Sequence, residues 1–259
     1  MKNLYILLLL LSTPILAFED FQEVGDFSIN QNIDAMRSFE IQWENFLFYT
    51  LNVDTPGFIE TGAFNSRMKD KSIDAKDFFR WRAGPIVETN RDLDFYVDAS
   101  SRGFFVIQLP TTIAFTRDGQ FRLNRKRKLV TIRGGYPVLG ENGEIVFPDG
   151  TDISVTRSGL IFVNGDEVDR LKIAVFKNSK DMRYCESLNG TVFVLRKAVE
   201  FLSGYDHYAV IQGAVEKSNV LKAIVGDIAT AKHSYEANAK IARLLTKTMG
   251  SSVQMANPN

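Results

Sequence analysis

Apolar residues near the beginning of the chain recur at helical spacing. Six positions follow alternating steps of three and four residues, which is typical of one apolar face of a helix: Met36, Phe39, Trp43, Phe46, Thr50 and Val53. The pattern predicts a helix over residues 30–53, with Asn30 or Asn32 as its cap. Pro56 and Gly57 follow at once and end the helix, because proline disfavours a helical residue before it and glycine accepts unusual dihedrals.

A second apolar stripe runs along the end of the chain and predicts a helix over residues 217–249, capped by Ser218 or Asn219. Its positions are Val220, Ile224, Ile228, Ala231, Tyr235, Asn238, Ala242, Leu245 and Met249. Asn238 is a polar residue in this seam, of the kind that fixes the register of a coiled coil. We expect the two stripes to pair with each other and with neighbouring copies. The predicted assembly interface is Trp43, Phe46, Val53, Val220, Ile224, Ile228, Tyr235, Asn238 and Leu245.

Between the two stripes, residues 95–212 alternate with the period of two that is typical of strands. Seven segments fit this pattern: 103–109, 113–117, 121–123, 129–132, 153–156, 160–163 and 171–176. Five dipeptides that end in glycine, such as Asn164-Gly165, indicate hairpin turns between them. We therefore expect an antiparallel meander or a partly open barrel. Within residues 59–93, Lys69–Lys76 reads as a loop or short helix, and Phe78, Phe79 and Trp81 form an apolar patch.

The predicted fold class is α+β, with N- and C-terminal helices paired as a coiled-coil-like unit around a β-rich antiparallel middle domain. The predicted domains are a signal peptide (1–17), a terminal helical assembly domain (18–58 with 215–259) and a β-rich body (59–214).

The first 17 residues have the layout of a secretory signal peptide. Lys2 precedes the apolar run Leu4–Leu11, and Ala17 is a small residue suited to cleavage. The alternative is an uncleaved membrane anchor, but Leu4–Ala17 is shorter than the roughly 20 residues that a spanning helix needs. We therefore expect cleavage after Ala17 and a mature chain that works outside the cytoplasm.

Composition narrows the possible chemistry. Lys+Arg and Asp+Glu are 31 each, so no overall charge attracts nucleic acid or an anionic membrane. One cysteine, Cys185, and two histidines, His207 and His233, offer neither a disulfide nor a spaced set of metal ligands. The basic run Arg125–Lys128 lacks interleaved aromatic residues and is interpreted as a solvated hairpin tip or a patch facing an acidic neighbour. We expect no active site, metal or cofactor.

Several segments resemble the bacterial flagellar rod and hook proteins. Asn52–Phe58 (Asn-Val-Asp-Thr-Pro-Gly-Phe) is similar to the signature that ends the first helix in this family. The resemblance continues, in the same order as in that family, through Asp98–Val106, Phe115–Phe121, Leu129–Gly140, Ile211–Val220 and Ser234–Lys240. It marks Asn52, Thr55, Pro56, Gly57 and Phe58 as family motif residues. Among these proteins the rod subunits, of the proximal or distal type, are more similar than the hook subunit.

The resemblance implies a structural subunit of the flagellar rod. Copies would polymerise helically through their terminal helices, together with other rod and hook axial proteins, into the shaft that carries torque from motor to hook. Neither nucleic acid nor a small-molecule substrate is expected. The signal-like segment departs from the family, whose rod proteins leave by the flagellum's own export apparatus. It supports the rival reading, a secreted periplasmic binding or adhesin-like module built on the rod architecture.

Overall fold

The structure is a computed structural model that describes residues 44–67, 73–150 and 152–226, together with residues 229 and 233. All of these belong to one compact unit, residues 42–259. Within these ranges no helix is long and apolar enough to cross a membrane.

Helical structure is scarce in the described residues. α1 covers residues 44–52, α2 covers residues 221–226, and a 3-10 helix covers Ser179–Tyr184, where the Asn178 side chain accepts a hydrogen bond from the backbone N–H of Lys180. The α+β prediction with paired terminal helices is wrong, because the described residues are mainly strands and contain no long helix pair. The apolar spacing correctly predicts helical residues at α1 and α2, and the described residues 229 and 233 are also helical, but on α1 the buried residue is Tyr49 rather than Thr50 of the stripe. The other positions of the two predicted helices, within 30–43 and 227–249, lie outside the described residues.

The body consists of short antiparallel strands, and every pairing among the described residues is antiparallel. The strands are β1 (Thr61–Arg67), β2 (Ile73–Phe79), β3 (Ile86–Glu88), β4 (Phe95–Asp98), β5 (Gly103–Gln108), β6 (Ile113–Thr116), β7 (Phe121–Leu123), β8 (Leu129–Thr131), β9 (Leu139–Gly140), β10 (Gly143–Glu144), β11 (Ile153–Val155), β12 (Leu160–Val163), β13 (Asp166–Arg170), β14 (Ile173–Val175), β15 (Cys185–Ser187), β16 (Val192–Leu195), β17 (Ala209–Gln212) and β18 (Ala214–Glu216).

The largest sheet has five strands in the order β14-β5-β6-β16-β15, and β11-β12-β13 form a sheet of three. The remaining strands pair two by two: β1 with β2, β3 with β18, β4 with β17, β7 with β8 and β9 with β10. Because β3 and β4 pair with β18 and β17, the beginning and the end of the body lie side by side. The meander prediction is wrong for the five-stranded sheet, where distant parts of the sequence are neighbours.

Two apolar clusters form the core on either side of β5. Alternate residues of this strand divide between them: Phe105 and Ile107 belong to the first cluster, and Phe104 and Val106 to the second. The second cluster is rich in aromatic rings, with Trp81 in edge contact with Phe104 at 5.8 Å and with Phe193 at 5.2 Å between ring centroids. β5 is therefore buried on both faces, as its run of apolar residues allows.

Each of the seven segments predicted as strands contains one, at β5, β6, β7, β8, β11, β12 and β14. Three of the five glycine dipeptides lie in hairpin turns: Asn142-Gly143, Ser158-Gly159 and Asn164-Gly165. Asp118-Gly119 does not, because β6 and β7 belong to different sheets and this dipeptide lies between them. Asp149-Gly150 connects β10 to β11, which also lie in different sheets. The Lys69–Lys76 segment was interpreted as a loop or short helix, but residues 73–76 lie in β2.

The basic run forms the turn between β7 and β8. Arg127 adopts a left-handed backbone conformation with φ of 58°, which glycine accepts more easily. Its guanidinium donates to the carbonyl of Phe147 at 3.1 Å and to the carbonyl of Pro148, and lies 3.4 Å from the carboxylate of Asp149. These contacts offset the backbone strain and join the turn to the segment before β11. The tip is accordingly anchored through Arg127, while Arg125 and Lys126 are exposed.

Candidate assembly junction

The family motif forms a compact turn directly after α1. The backbone N–H of Thr55 donates to the carbonyl of Asn52 at 3.0 Å, and the Thr55 hydroxyl donates to the Asn52 side-chain oxygen at 3.3 Å. Gly57 has φ of +66°, and a Cβ atom at this position would collide with the backbone of Arg117 and Asp118. The glycine is therefore required both by the backbone conformation and by the close approach of the segment between β6 and β7.

The motif pairs with the segment that leads into α2. The backbone N–H of Gly57 donates to the carbonyl of Glu216 at 2.8 Å, and the N–H of Asn219 donates to the carbonyl of Phe58 at 3.3 Å. The Asn219 side chain accepts from the N–H of Glu60 at 2.6 Å and donates to the carbonyls of Arg80 and Arg82 at 3.0 and 2.8 Å. One asparagine thus links its own segment to the backbone at residue 60 and at residues 80–82. We call residues 52–60 with 216–220 the junction.

A buried ion pair holds the junction to the body. Arg117 Nη2 donates to Glu216 Oε2 at 2.6 Å, and the two side chains are only 3% and 5% exposed. The other carboxylate oxygen of Glu216 accepts from the N–H of Gly84 at 2.7 Å. Burial raises the pKa of Glu216, although Arg117 and the Gly84 N–H act in the opposite direction. Burial of this carboxyl group therefore carries a desolvation cost that Arg117 and the Gly84 N–H offset only in part.

Asp118, next to Arg117, is a second buried acid. Its Oδ1 accepts from the N–H of Gln120 at 3.0 Å, and its Oδ2 accepts from Arg133 Nη1 at 2.9 Å. Burial raises the pKa of Asp118, while the Gln120 N–H and Arg133 work against the shift. The segment between β6 and β7 is thus fixed from both sides, by Arg117 toward the junction and by Asp118 toward Arg133, which follows β8.

An apolar cluster lies where the two end segments meet. Tyr49 of α1, Phe58 of the motif and Val220 before α2 are its buried members, and Val53, Ala223 and Ile224 pack against them. The Phe58 ring lies against Gly190, where a Cβ atom would overlap it. Three of the predicted interface residues, Val53, Val220 and Ile224, therefore come together around Phe58.

The other predicted site residues divide into three groups. Asn52, Thr55, Pro56, Gly57 and Phe58 all lie in the junction. Phe46 is half-buried on α1 and is not a member of the Phe58 cluster. Trp43, Ile228, Tyr235, Asn238, Leu245 and Ala17 lie outside the described residues.

Several residues that hold the junction together have no local signal in the sequence. Arg117 and Glu216 are 99 positions apart, and no local pattern links them. Exposed apolar side chains beside the cluster were also missed: Leu47, Phe48, Leu51, Leu221 and Val225. A strict three-four spacing selects one helix face and omits neighbouring apolar residues, so counting every apolar position on α1 and α2 would have found them.

The other residues considered for chemistry are Cys185, His207 and His233. Cys185 is buried, and burial raises the pKa of its thiol to about 12, so the reactive thiolate is not formed near neutral pH. His207 and His233 are exposed. Among the described residues no group of three or more His, Cys, Asp or Glu side chains is placed to hold a metal ion.

Comparison with known proteins identifies related chains. Residues 100–163 match the family described as flagellar hook protein FlgE/F/G D1 domain. The flagellar basal-body rod protein FlgF of Rhizobium meliloti is 32% identical over 180 residues, covering 65% of this chain and 72% of that protein. FlgF of Buchnera aphidicola from Baizongia pistaciae is 33% identical over 135 residues, so the match spans 49% of this chain and about half (53%) of that relative.

A third relative, the flagellar hook-basal body complex protein FlhP of Bacillus subtilis, is 28% identical over 182 residues, covering 64% of each chain. The resemblance first noted in the motifs thus extends through the body strands. The chain belongs to the family of flagellar basal-body rod proteins.

Proposed function

We propose that this chain is a structural subunit of the bacterial flagellar rod, the shaft that carries torque from motor to hook. The observation that carries the proposal is the junction, where the motif after α1 and the segment before α2 are fastened to the same point of the body. Family membership, through the FlgF relatives, gives this junction its functional context. A subunit that transmits torque needs its assembly segments rigidly fixed to its body, and the Arg117–Glu216 pair provides such an attachment.

We propose that the assembly surface is the exposed apolar border of the junction. Leu51, Leu221 and Val225 are 82%, 57% and 62% exposed, and Leu47 and Phe48 are also open to solvent. Apolar area removed from water stabilises an interface by about 25 cal/mol per Å². The partners are other copies of the chain and other rod and hook axial proteins. The proposed assembly domain comprises residues 18–58 and 215–259, and residues 59–214 form the body.

This role needs shape and packing rather than catalysis, in line with the structural rod family of the relatives. None of the relatives favours the adhesin-like or periplasmic binding module considered from the sequence. We expect no enzymatic turnover by this chain.

A gene deletion tests the function directly. The strain that lacks this chain should form the inner motor but no rod, hook or filament in electron micrographs of basal bodies. A plasmid copy of the gene should restore all three. Normal flagella in the deletion strain would contradict the proposal.

We further propose that the first 17 residues are removed after Ala17 and that the mature chain joins the basal body from the periplasm. The support is the charged, apolar and small-residue order of Lys2, Leu4–Leu11 and Ala17. N-terminal sequencing of the chain from purified basal bodies should begin at Phe18. An intact Met1 would contradict this route and would leave the rod function itself untouched.

A further inference from the structure

A cleft of about 420 Å³ lies at the turn that connects β4 to β5. It is lined by Trp81, Ser100, Ser101, Arg102, Ser179 and Met182. It is an open depression on the surface rather than an enclosed cavity. None of these residues belongs to the junction.

The turn between β4 and β5, which forms one wall, is strained. Ser100 and Ser101 have φ values of 50° and 65°, and the N–H of Arg102 closes the turn by donating to the carbonyl of Ala99 at 3.0 Å. Left-handed backbone conformations are adopted easily by glycine and, less often, by asparagine or aspartate. Retaining two serines here costs stability, and such retained strain is concentrated at functional sites. The strained conformation places two hydroxyl groups at the cleft.

Most polar groups around the cleft have no hydrogen-bond partner among the described residues. Within the described part of the chain, the hydroxyls of Ser100, Ser101 and Ser179 and the indole N–H of Trp81 make no hydrogen bond. The Arg102 guanidinium donates to the carbonyl of Lys177 at 3.3 Å, which leaves further N–H groups available. The lining contains a cation and no carboxylate.

The cleft also has a firm apolar side. The Trp81 ring is half-buried and held by the rings of Phe79, Phe104 and Phe193 at centroid distances of 5.1, 5.8 and 5.2 Å. Met182 is buried beside it. The indole is therefore a fixed platform rather than a mobile side chain.

We propose that this cleft binds an acidic saccharide. The C–H groups of a sugar ring suit the negative face of an indole. The three serine hydroxyls can both donate to and accept from ring hydroxyls. A carboxylate on the sugar pairs with the planar guanidinium of Arg102 through charge-assisted hydrogen bonds.

Titration of the full chain with three small probes tests the proposal. Glucuronate carries ring and carboxylate, glucose lacks the carboxylate, and acetate lacks the ring. The readout is the indole N–H signal of Trp81 in nitrogen-15 NMR spectra. The chain has two tryptophans, so the variant Trp43→Phe assigns that signal. Glucuronate should shift it with a Kd at least about tenfold lower than glucose or acetate, a difference of about 1.4 kcal/mol. Equal affinities for the three probes, or no shift with any, would overturn the proposal.

Two variants separate binding from folding. The double variant Ser100→Gly with Ser101→Gly should raise the melting temperature, because glycine relieves the strain, and should weaken glucuronate binding about tenfold through the lost hydroxyls. Arg102→Gln should reduce glucuronate affinity to that of glucose. Ser203→Gly, at an exposed serine outside the cleft, should leave the affinity unchanged and should not raise the melting temperature, because no left-handed strain is relieved there. Glucuronate affinity that stays unchanged in the glycine double variant and in Arg102→Gln would contradict the site.

Discussion

At Gly57 the chain combines a left-handed backbone with direct approach to the backbone of Arg117 and Asp118. A turn pattern in the sequence can predict the left-handed backbone, but it cannot predict the close approach to Arg117 and Asp118. Pro56 and Gly57 predict a turn from the sequence alone, whereas the contact with Arg117 depends on how the body folds. The same holds for Asn219, whose side chain ties Glu60, Arg80 and Arg82 together although its sequence position suggests only a helix cap.

We predict that Gly57→Ala lowers the free energy of unfolding by about 3 kcal/mol, the sum of backbone strain and steric overlap. The matched control is Gly204→Ala, because Gly204 has φ of +94° but open space around its Cβ position. The control should lose only the backbone part, about 1 to 2 kcal/mol. Urea unfolding of both variants measures the difference. Equal losses in the two variants would show that the approach to Arg117 has no energetic role.

At the scale of elements, the junction is held by a charge pair that spans the chain. Arg117 follows β6 and Glu216 ends β18, and both side chains lie in the interior. A buried ion pair contributes little net stability over apolar side chains of similar size, but removal of one partner leaves an uncompensated charge. The pair is therefore expected to fix the register of the end segments against the body more than to raise total stability.

A double-mutant cycle tests this view. Arg117→Met alone should destabilise the protein by about 3 to 5 kcal/mol, because the Glu216 carboxylate remains buried without its partner. Arg117→Met combined with Glu216→Leu should recover most of that loss. Chemical denaturation of the wild type, both single variants and the double variant gives the coupling energy. Additive losses would mean that the two side chains act independently.

The pH dependence follows from the raised pKa values of Glu216 and Asp118. Since burial raises both, the folded state holds protons that the unfolded state has already released, and stability falls as the pH rises through that window. For Glu216 the window begins at the ordinary glutamate pKa of 4.5 and extends upward. The variant Glu216→Gln should show a smaller fall in free energy of unfolding across this window than the wild type. The measurement is urea unfolding at intervals between pH 4 and pH 7; curves of equal slope would contradict it.

For the whole molecule, the proposed assembly surface makes a prediction about polymers rather than stability. Leu51→Ser and Leu221→Ser change exposed side chains, so each should leave the free energy of unfolding within about 0.5 kcal/mol of the wild type. Both should nevertheless reduce rod formation, scored by swimming in soft agar and by electron microscopy of basal bodies. Ile113→Ser, an exposed apolar residue of β6, is the matched control and should support normal swimming. Full motility of the Leu51 and Leu221 variants would place the assembly surface elsewhere.

We expect a serine at Val220 to act differently from a serine at its neighbour Leu221. It is fully buried beside Phe58 within the chain, so a serine there disturbs the junction cluster itself. A loss of assembly in Val220→Ser would therefore reflect a weakened junction as well as any interface.

Local patterns in the sequence were enough to locate seven of the eighteen strands among the described residues, and the turn after α1. Alternation marks strands because successive side chains point to opposite faces, and proline with glycine marks a turn because of their own dihedral limits. Local patterns did not predict the β1–β2 hairpin, because its polar residues show no clear alternation. They also did not predict the order of strands in the sheets, because the pairing of β14 with β5 and of β16 with β6 joins residues that are distant in the sequence.

The sequence by itself determined the family, through motifs in a fixed order, and the local conformation of seven strands and of the Pro56-Gly57 turn. The tertiary structure alone decided that the two end segments meet at Arg117 and Glu216, that the described residues form no long helix pair, and that Trp81, Ser100 and Arg102 share one cleft. The physical reason is the distance along the chain over which each kind of interaction acts. Dihedral preferences and side-chain alternation act over a few residues, whereas buried charge, close glycine contacts and cleft formation depend on groups that only the folded backbone brings together.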